Sequence, residues 1–220
     1  MTDHEQAWDQ RLRIRTAGRD DQKADQYHHP YEPTPYSVLE RLADSGFFAE
    51  TDTLLDYGCG KGRVGLFLAH QTRAKAIGIE YDDRIYADAL ENQKNAGSNV
   101  EFLLTRAESY PLPPQVNRCY FFNPFSAEIL HKVMARILDS WYEEPREIFL
   151  FFYYPDDAYI AYLMTVEELE FYDEIPCDDL FPGDPRERVL IFQLPDIEEA
   201  YHLFENKLDG VIKVAITPDQ

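Results

Sequence analysis

Apolar residues in this chain fall into short runs separated by segments with helical spacing. The runs at 53–57, 75–80, 99–104, 117–122 and 147–154 predict buried strands. Helices are predicted between them at 62–71, 83–96 and 126–141. The last is the clearest, because Ile129, Val133, Ile137 and Trp141 form one stripe and Leu130, Met134 and Leu138 its neighbour. Strands alternating with helices imply a parallel sheet wrapped by helices.

Flanking segments extend this unit. Residues 3–16 predict a polar helix whose apolar points are Trp8, Leu12 and Ile14, followed by a charged stretch at 18–27. Thr34 and Pro35 suit the N-cap and first position of a helix carrying Val38, Leu39 and Leu42. Beyond residue 155, strands are expected at 168–175 and 188–194, joined by the acidic, proline-containing loop 176–185. The tail predicts a helix over 196–204 and a short strand at 211–216. The expected division is an N-terminal extension or lid (1–30), a central domain (31–194) and a C-terminal extension packed on it (195–220).

The chain has 220 residues, 45% of them hydrophobic, enough for one domain with a substantial core. Its longest strongly apolar run, 148–154, is far short of a membrane span, and its start lacks a signal peptide's basic and apolar regions. A soluble, cytoplasmic protein is expected. Cys59, Cys119 and Cys177 show no metal-binding or disulfide spacing, so reduced thiols and no metal are expected. The net charge of −20 disfavours nucleic acid, whose binders present clustered Lys and Arg. It suits an acidic soluble surface, or a basic substrate drawn in by the field.

Candidate chemistry begins at Leu54-Leu55-Asp56-Tyr57-Gly58-Cys59-Gly60-Lys61-Gly62, a buried strand ending in a glycine-rich turn that opens a helix. Such turns bind nucleotides, because glycine lets the backbone approach and a helix N-terminus favours oxygen-rich groups. Gly60, Gly62 and Gly65 also fit the GxGxxG of dinucleotide binders, with Glu80 near the expected ribose-binding acid. Asp56 separates the two possibilities: its carboxylate would repel a pyrophosphate and attract a ligand carrying an ammonium and a sulfonium.

Asp56, Gly58, Gly60 and Gly62 thus form a DxGxGxG pattern that resembles motif I of the class I methyltransferases, which use S-adenosyl-L-methionine. The resemblance covers about residues 30–194. It implies a Rossmann-like α/β fold with a seven-stranded, mostly parallel sheet, helices on both faces and an antiparallel last strand. The cofactor then lies over the sheet's carboxyl edge, contacted by Asp56, Gly58, Cys59, Gly60 and Gly62. Glu80 ends the next strand, where it binds both ribose hydroxyls, and Tyr81 flanks the adenine. Ala107 and Glu108 are candidates for contact with the adenine amino group.

Asn123-Pro124-Phe125-Ser126 resembles motif IV of methyltransferases that modify amino groups, with Phe125 in place of a second proline and Ser126 in place of an aromatic residue. The resemblance gives Asn123 and the Pro124 carbonyl the role of accepting hydrogen bonds from the target amine. The stretch Tyr31 to Val38 resembles the upstream motif whose threonine, here Thr34, meets the methionyl carboxylate. Methyl transfer by direct displacement to an amine on a protein or small molecule is the leading expectation. An NAD-dependent oxidoreductase and a non-catalytic S-adenosylmethionine-binding module are the alternatives. A general base could be sought at His28 or His29, and Tyr153 and Tyr154 end the fifth strand where substrates bind in such folds. The oligomeric state is open.

Overall fold

A computed structural model describes residues 2–22, 27 and 29–196. His28 and the tail helix and strand expected beyond residue 196 lie outside these residues.

Five parallel strands, β1 (Thr53–Tyr57), β2 (Lys75–Glu80), β3 (Glu101–Leu104), β4 (Arg118–Phe121) and β5 (Ile148–Tyr153), are joined to β6 (Glu170–Pro176) and β7 (Arg188–Leu194). The sheet order is β3-β2-β1-β4-β5-β7-β6, and β7 is antiparallel to both its neighbours. The strand order reverses between β1 and β4, where open α/β sheets place ligands at the carboxyl ends of the strands.

Alternation along the strands divides the core. Leu54, Ala76, Tyr120, Phe151 and Ile191 face one side, packed on α1 (Asp3–Leu12), α2 (Tyr36–Asp44), α3 (Arg63–Thr72) and α4 (Asp83–Ala96). Leu55, Ile77, Phe121, Phe152 and Phe192 face the other, under α5 (Ala127–Glu143) and α6 (Asp157–Leu163). Helix α5 follows its predicted stripe: Ile129, Val133, Ile137 and Trp141 are all buried, and Ser126 caps it by accepting from the N–H of Ile129.

Two expectations at the N-terminal side are corrected. The first helix stops at Leu12, because Arg13 takes a left-handed conformation (φ 59°) whose N–H closes the last turn. Thr34 is not the cap of α2. The N-cap is Pro35, which offers no side-chain hydrogen bond, and the Tyr36 N–H is satisfied instead by Glu5 Oε1 at 2.8 Å. Helix α6 lies outside the predicted elements; Asp156 caps it through the N–H of Tyr159 at 2.7 Å.

Candidate cofactor and acceptor site

At the end of β1 the chain makes its glycine turn. Gly58, Gly60 and Gly62 all have positive φ. A Cβ on Gly58 would stand 2.5 Å from Cβ of Pro124, and one on Gly60 would stand 2.3 Å from the Tyr31 ring. The turn is therefore wedged between the loop after β4 and the segment 29–34, with no room for a larger residue.

Glu80 is buried at the end of β2 and fixes this turn. Its Oε2 accepts from Gly60 N–H at 3.0 Å, and its Oε1 from the N–H groups of Tyr81 (2.8 Å) and Asp82 (2.9 Å). Burial nevertheless raises its carboxyl above the ordinary value. Asp56 is different. It is 2% exposed, and its Oδ2 has no hydrogen-bond partner. Burial first, and Glu80's charge second, push its carboxyl up to about 8. A buried, unsatisfied carboxyl oxygen is costly, so this geometry is suited to a cationic ligand group.

A cavity of about 90 Å³ lies here, bounded by Thr34, Asp56, Gly58, Cys59, Glu80, Tyr81, Ala107, Glu108 and Pro124 among the residues expected from the sequence. Gly60 and Gly62 stand behind it as turn formers, the latter against Phe102. The buried Thr34 hydroxyl is 3.0 Å from the Tyr120 hydroxyl, which also borders the cavity. Burial pushes the Cys59 thiol far up, which makes it a packing group.

Sequence reasoning missed two features. The segment 29–34 forms a wall: His29 N–H donates to the Pro124 carbonyl at 3.3 Å, and His29 Nδ1 donates to the Asn123 carbonyl at 2.8 Å. The Pro124 oxygen expected to face an amine thus already accepts one hydrogen bond. Arg63, at the first turn of α3, is the second. It is 3% exposed and donates to Thr34 O (3.0 Å), Thr16 Oγ1 (2.6 Å) and Glu5, while stacking 4.1 Å from the Tyr36 ring centroid. No sequence motif marks this residue, because its partners are scattered over residues 5–36.

Asn123 takes a left-handed conformation (φ 38°) just outside the cavity. Its Nδ2 donates to the Tyr154 carbonyl, and its buried Oδ1 has no partner.

Residues 54–143 match the model of a methyltransferase domain family. Over these residues the chain is similar to methyltransferases, and its seven-stranded sheet has the fold of solved methyltransferases. The chain is 35% identical over 71 residues to a protein-lysine N-methyltransferase of Saccharolobus islandicus (strain REY15A), a match covering 32% of this chain and 44% of the relative. The match therefore spans less than half of that relative's length. An RNA methyltransferase from Salinibacter ruber, solved with S-adenosyl-L-homocysteine, superposes with a TM-score of 0.52 at 21% identity, over 75% of this chain and 95% of that one. Mitomycin 7-O-methyltransferase gives a TM-score of 0.56 at 13% identity, over 72% and 53%. At these identities the two structures share the methyltransferase fold.

Proposed function

We propose that the protein transfers a methyl group from S-adenosyl-L-methionine to an amine of a cationic acceptor, on a protein or a small molecule. The observation that carries this is the buried, unpartnered Asp56 Oδ2 beside the glycine turn. When bound, the cofactor supplies an electrophilic methyl group on a positively charged sulfur. Asp56 would hold the cofactor's ammonium, Glu80 its ribose hydroxyls, and the Thr34–Tyr120 pair its carboxylate. Tyr81, Ala107 and Glu108 would border the adenine.

Charge supports a cationic acceptor. The cavity is bordered by the carboxyls of Asp20, Glu32, Asp56, Glu80, Asp82 and Glu108, against two guanidinium groups. Arg63 is buried and tied to Glu5, while the exposed Arg106 makes a loose 3.7 Å pair with Glu108. A pyrophosphate or a nucleic-acid backbone would meet this field at a cost. The name of the Saccharolobus islandicus relative is consistent with an amine on a protein.

Asn123 would orient the target nitrogen through Oδ1, leaving the amine lone pair in line with the methyl group; such positioning supplies much of the rate in a displacement on a reactive electrophile. The test is transfer of labelled methyl to poly-L-lysine, free lysine and an RNA oligonucleotide. Lysine acceptors should be labelled and RNA not. Asn123→Ala should lower the rate at nearly unchanged cofactor affinity. Labelling of RNA alone would overturn the amine acceptor, and no labelling with intact cofactor binding would favour a binding module.

A further inference from the structure

Two neighbouring strands end in the same device. β4 runs out through Phe121-Phe122-Asn123-Pro124 and β5 through Phe152-Tyr153-Tyr154-Pro155. In each, the residue before proline is left-handed: Asn123 at φ 38° and Tyr154 at φ 51°. Asparagine tolerates this conformation. A tyrosine there is a genuine outlier, more so because a following proline restricts it toward extended backbone. Strain of this kind persists only where surrounding contacts enforce it, and it concentrates at functional sites.

Three hydrogen bonds enforce it. Asn123 Nδ2 holds the Tyr154 carbonyl, Tyr154 N–H donates to Arg188 O at 3.0 Å, and the Tyr154 hydroxyl donates to Asp184 Oδ2 at 2.6 Å. The Tyr154 backbone is thus held at two points and its hydroxyl at a third, while the carboxamide that holds its carbonyl leaves Asn123 Oδ1 without a partner. Phe122, which borders the cavity, stands at 84° to the Tyr154 ring with centroids 6.5 Å apart. A cation already uses this ring: the exposed Arg186 guanidinium lies 4.4 Å from its centroid.

We propose that Tyr154 is the acceptor-binding residue, its ring receiving the alkylammonium of the acceptor near the Asn123 carboxamide, with Arg186 as a built-in competitor for the same ring; the bound ammonium loses a proton to solvent before the neutral amine attacks the cofactor's methyl group. This rests on the amine acceptor proposed above. The half-buried Tyr154 and Phe122 supply cation–π attraction. Asn123 Oδ1 supplies a hydrogen-bond acceptor with no partner among the described residues. Asp184 and Glu187, the latter accepting from the Tyr153 hydroxyl at 2.6 Å, keep the surroundings negative. Arg186 is exposed but held, its Nε and Nη2 on Asp184 at 3.3 and 3.2 Å and its Nη2 on the Tyr154 hydroxyl, so an arriving cation has to displace these contacts.

The test uses the full chain with S-adenosyl-L-homocysteine bound and follows n-butylammonium binding by NMR, alongside poly-L-lysine methylation. Tyr154→Leu should weaken amine binding and raise the poly-L-lysine KM by roughly 3- to 30-fold, with S-adenosyl-L-methionine affinity unchanged. Arg186→Ala should do the reverse and tighten amine binding severalfold, an outcome a purely structural Arg186 would not give. Unchanged amine binding in Tyr154→Leu, or weaker binding in Arg186→Ala, would overturn the assignment while leaving the amine acceptor intact. Failure of the wild-type chain to bind n-butylammonium or methylate poly-L-lysine would instead sink the amine acceptor and this assignment together.

Discussion

The backbone N–H of Tyr36 donates to a carboxyl oxygen of Glu5 at 2.8 Å, so α2 is capped from another helix. The other Glu5 oxygen meets Arg63 at the first turn of α3. One carboxylate therefore ties α1 to both helices that flank the glycine turn. Asp9 reinforces the joint by accepting from the hydroxyls of Tyr36 and Thr16, each at 2.7 Å.

Glu5→Ala removes the cap and leaves the buried Arg63 short of its strongest partner. Breaking one side of a buried ion pair costs about 3–5 kcal/mol. The expected result is a loss of about 3 kcal/mol in the urea unfolding free energy, with Glu5→Gln, which keeps the cap, losing less.

Asp56 sets a pH dependence whose sign follows from its raised carboxyl. Its ordinary value is 3.8 and its folded value about 8. Between these the folded chain holds a proton that the unfolded chain has released, so this group removes stability as pH rises through that window. Asp56→Asn abolishes the effect. In thermal melts its Tm gain over the native chain should be larger near pH 8 than near pH 5.

The same group predicts proton release on cofactor binding. Near pH 7 Asp56 is largely protonated in the free protein, and an ammonium beside it favours the carboxylate. Calorimetry in two buffers of different ionisation enthalpy should show release of up to about one proton per S-adenosyl-L-methionine, and none in Asp56→Asn.

Gly58 joins the cofactor turn to the acceptor corner. An alanine there would strain a backbone at φ 71° and push its Cβ to 2.5 Å from Pro124, next to Asn123. Gly58→Ala should cost about 1–3 kcal/mol of stability and reduce methyl transfer more than cofactor binding, as read from melts, calorimetry and initial rates.

Much of this was written in local pattern. β1, β2, α4 and β7 occupy the spans their periodicity predicts, and the Asp56–Glu80 pair follows from a glycine turn and the end of the next strand. What local pattern could not carry is pairing over long separations. Thr34-Pro35 looks like a helix cap because a cap needs only a short polar side chain, yet Glu5 won the Tyr36 N–H across 31 positions. The hydrogen bond between His29 and Asn123 spans 94 positions and has no sequence signature. Helix α6 does carry a local signal, Asp156 as a cap followed by Tyr159 and Leu163 four residues apart, both buried.

The central claim is that Asp56 holds S-adenosyl-L-methionine, and thermal melts of the native chain and Asp56→Asn with that cofactor and with NAD test it most directly. A ligand at about 100 times its Kd stabilises the folded state by about 2.7 kcal/mol, a shift of several degrees. S-adenosyl-L-methionine should raise the native Tm by that amount, leave Asp56→Asn nearly unmoved, and NAD should do nothing to either. Stabilisation by NAD, or a full S-adenosyl-L-methionine shift in Asp56→Asn, would contradict it.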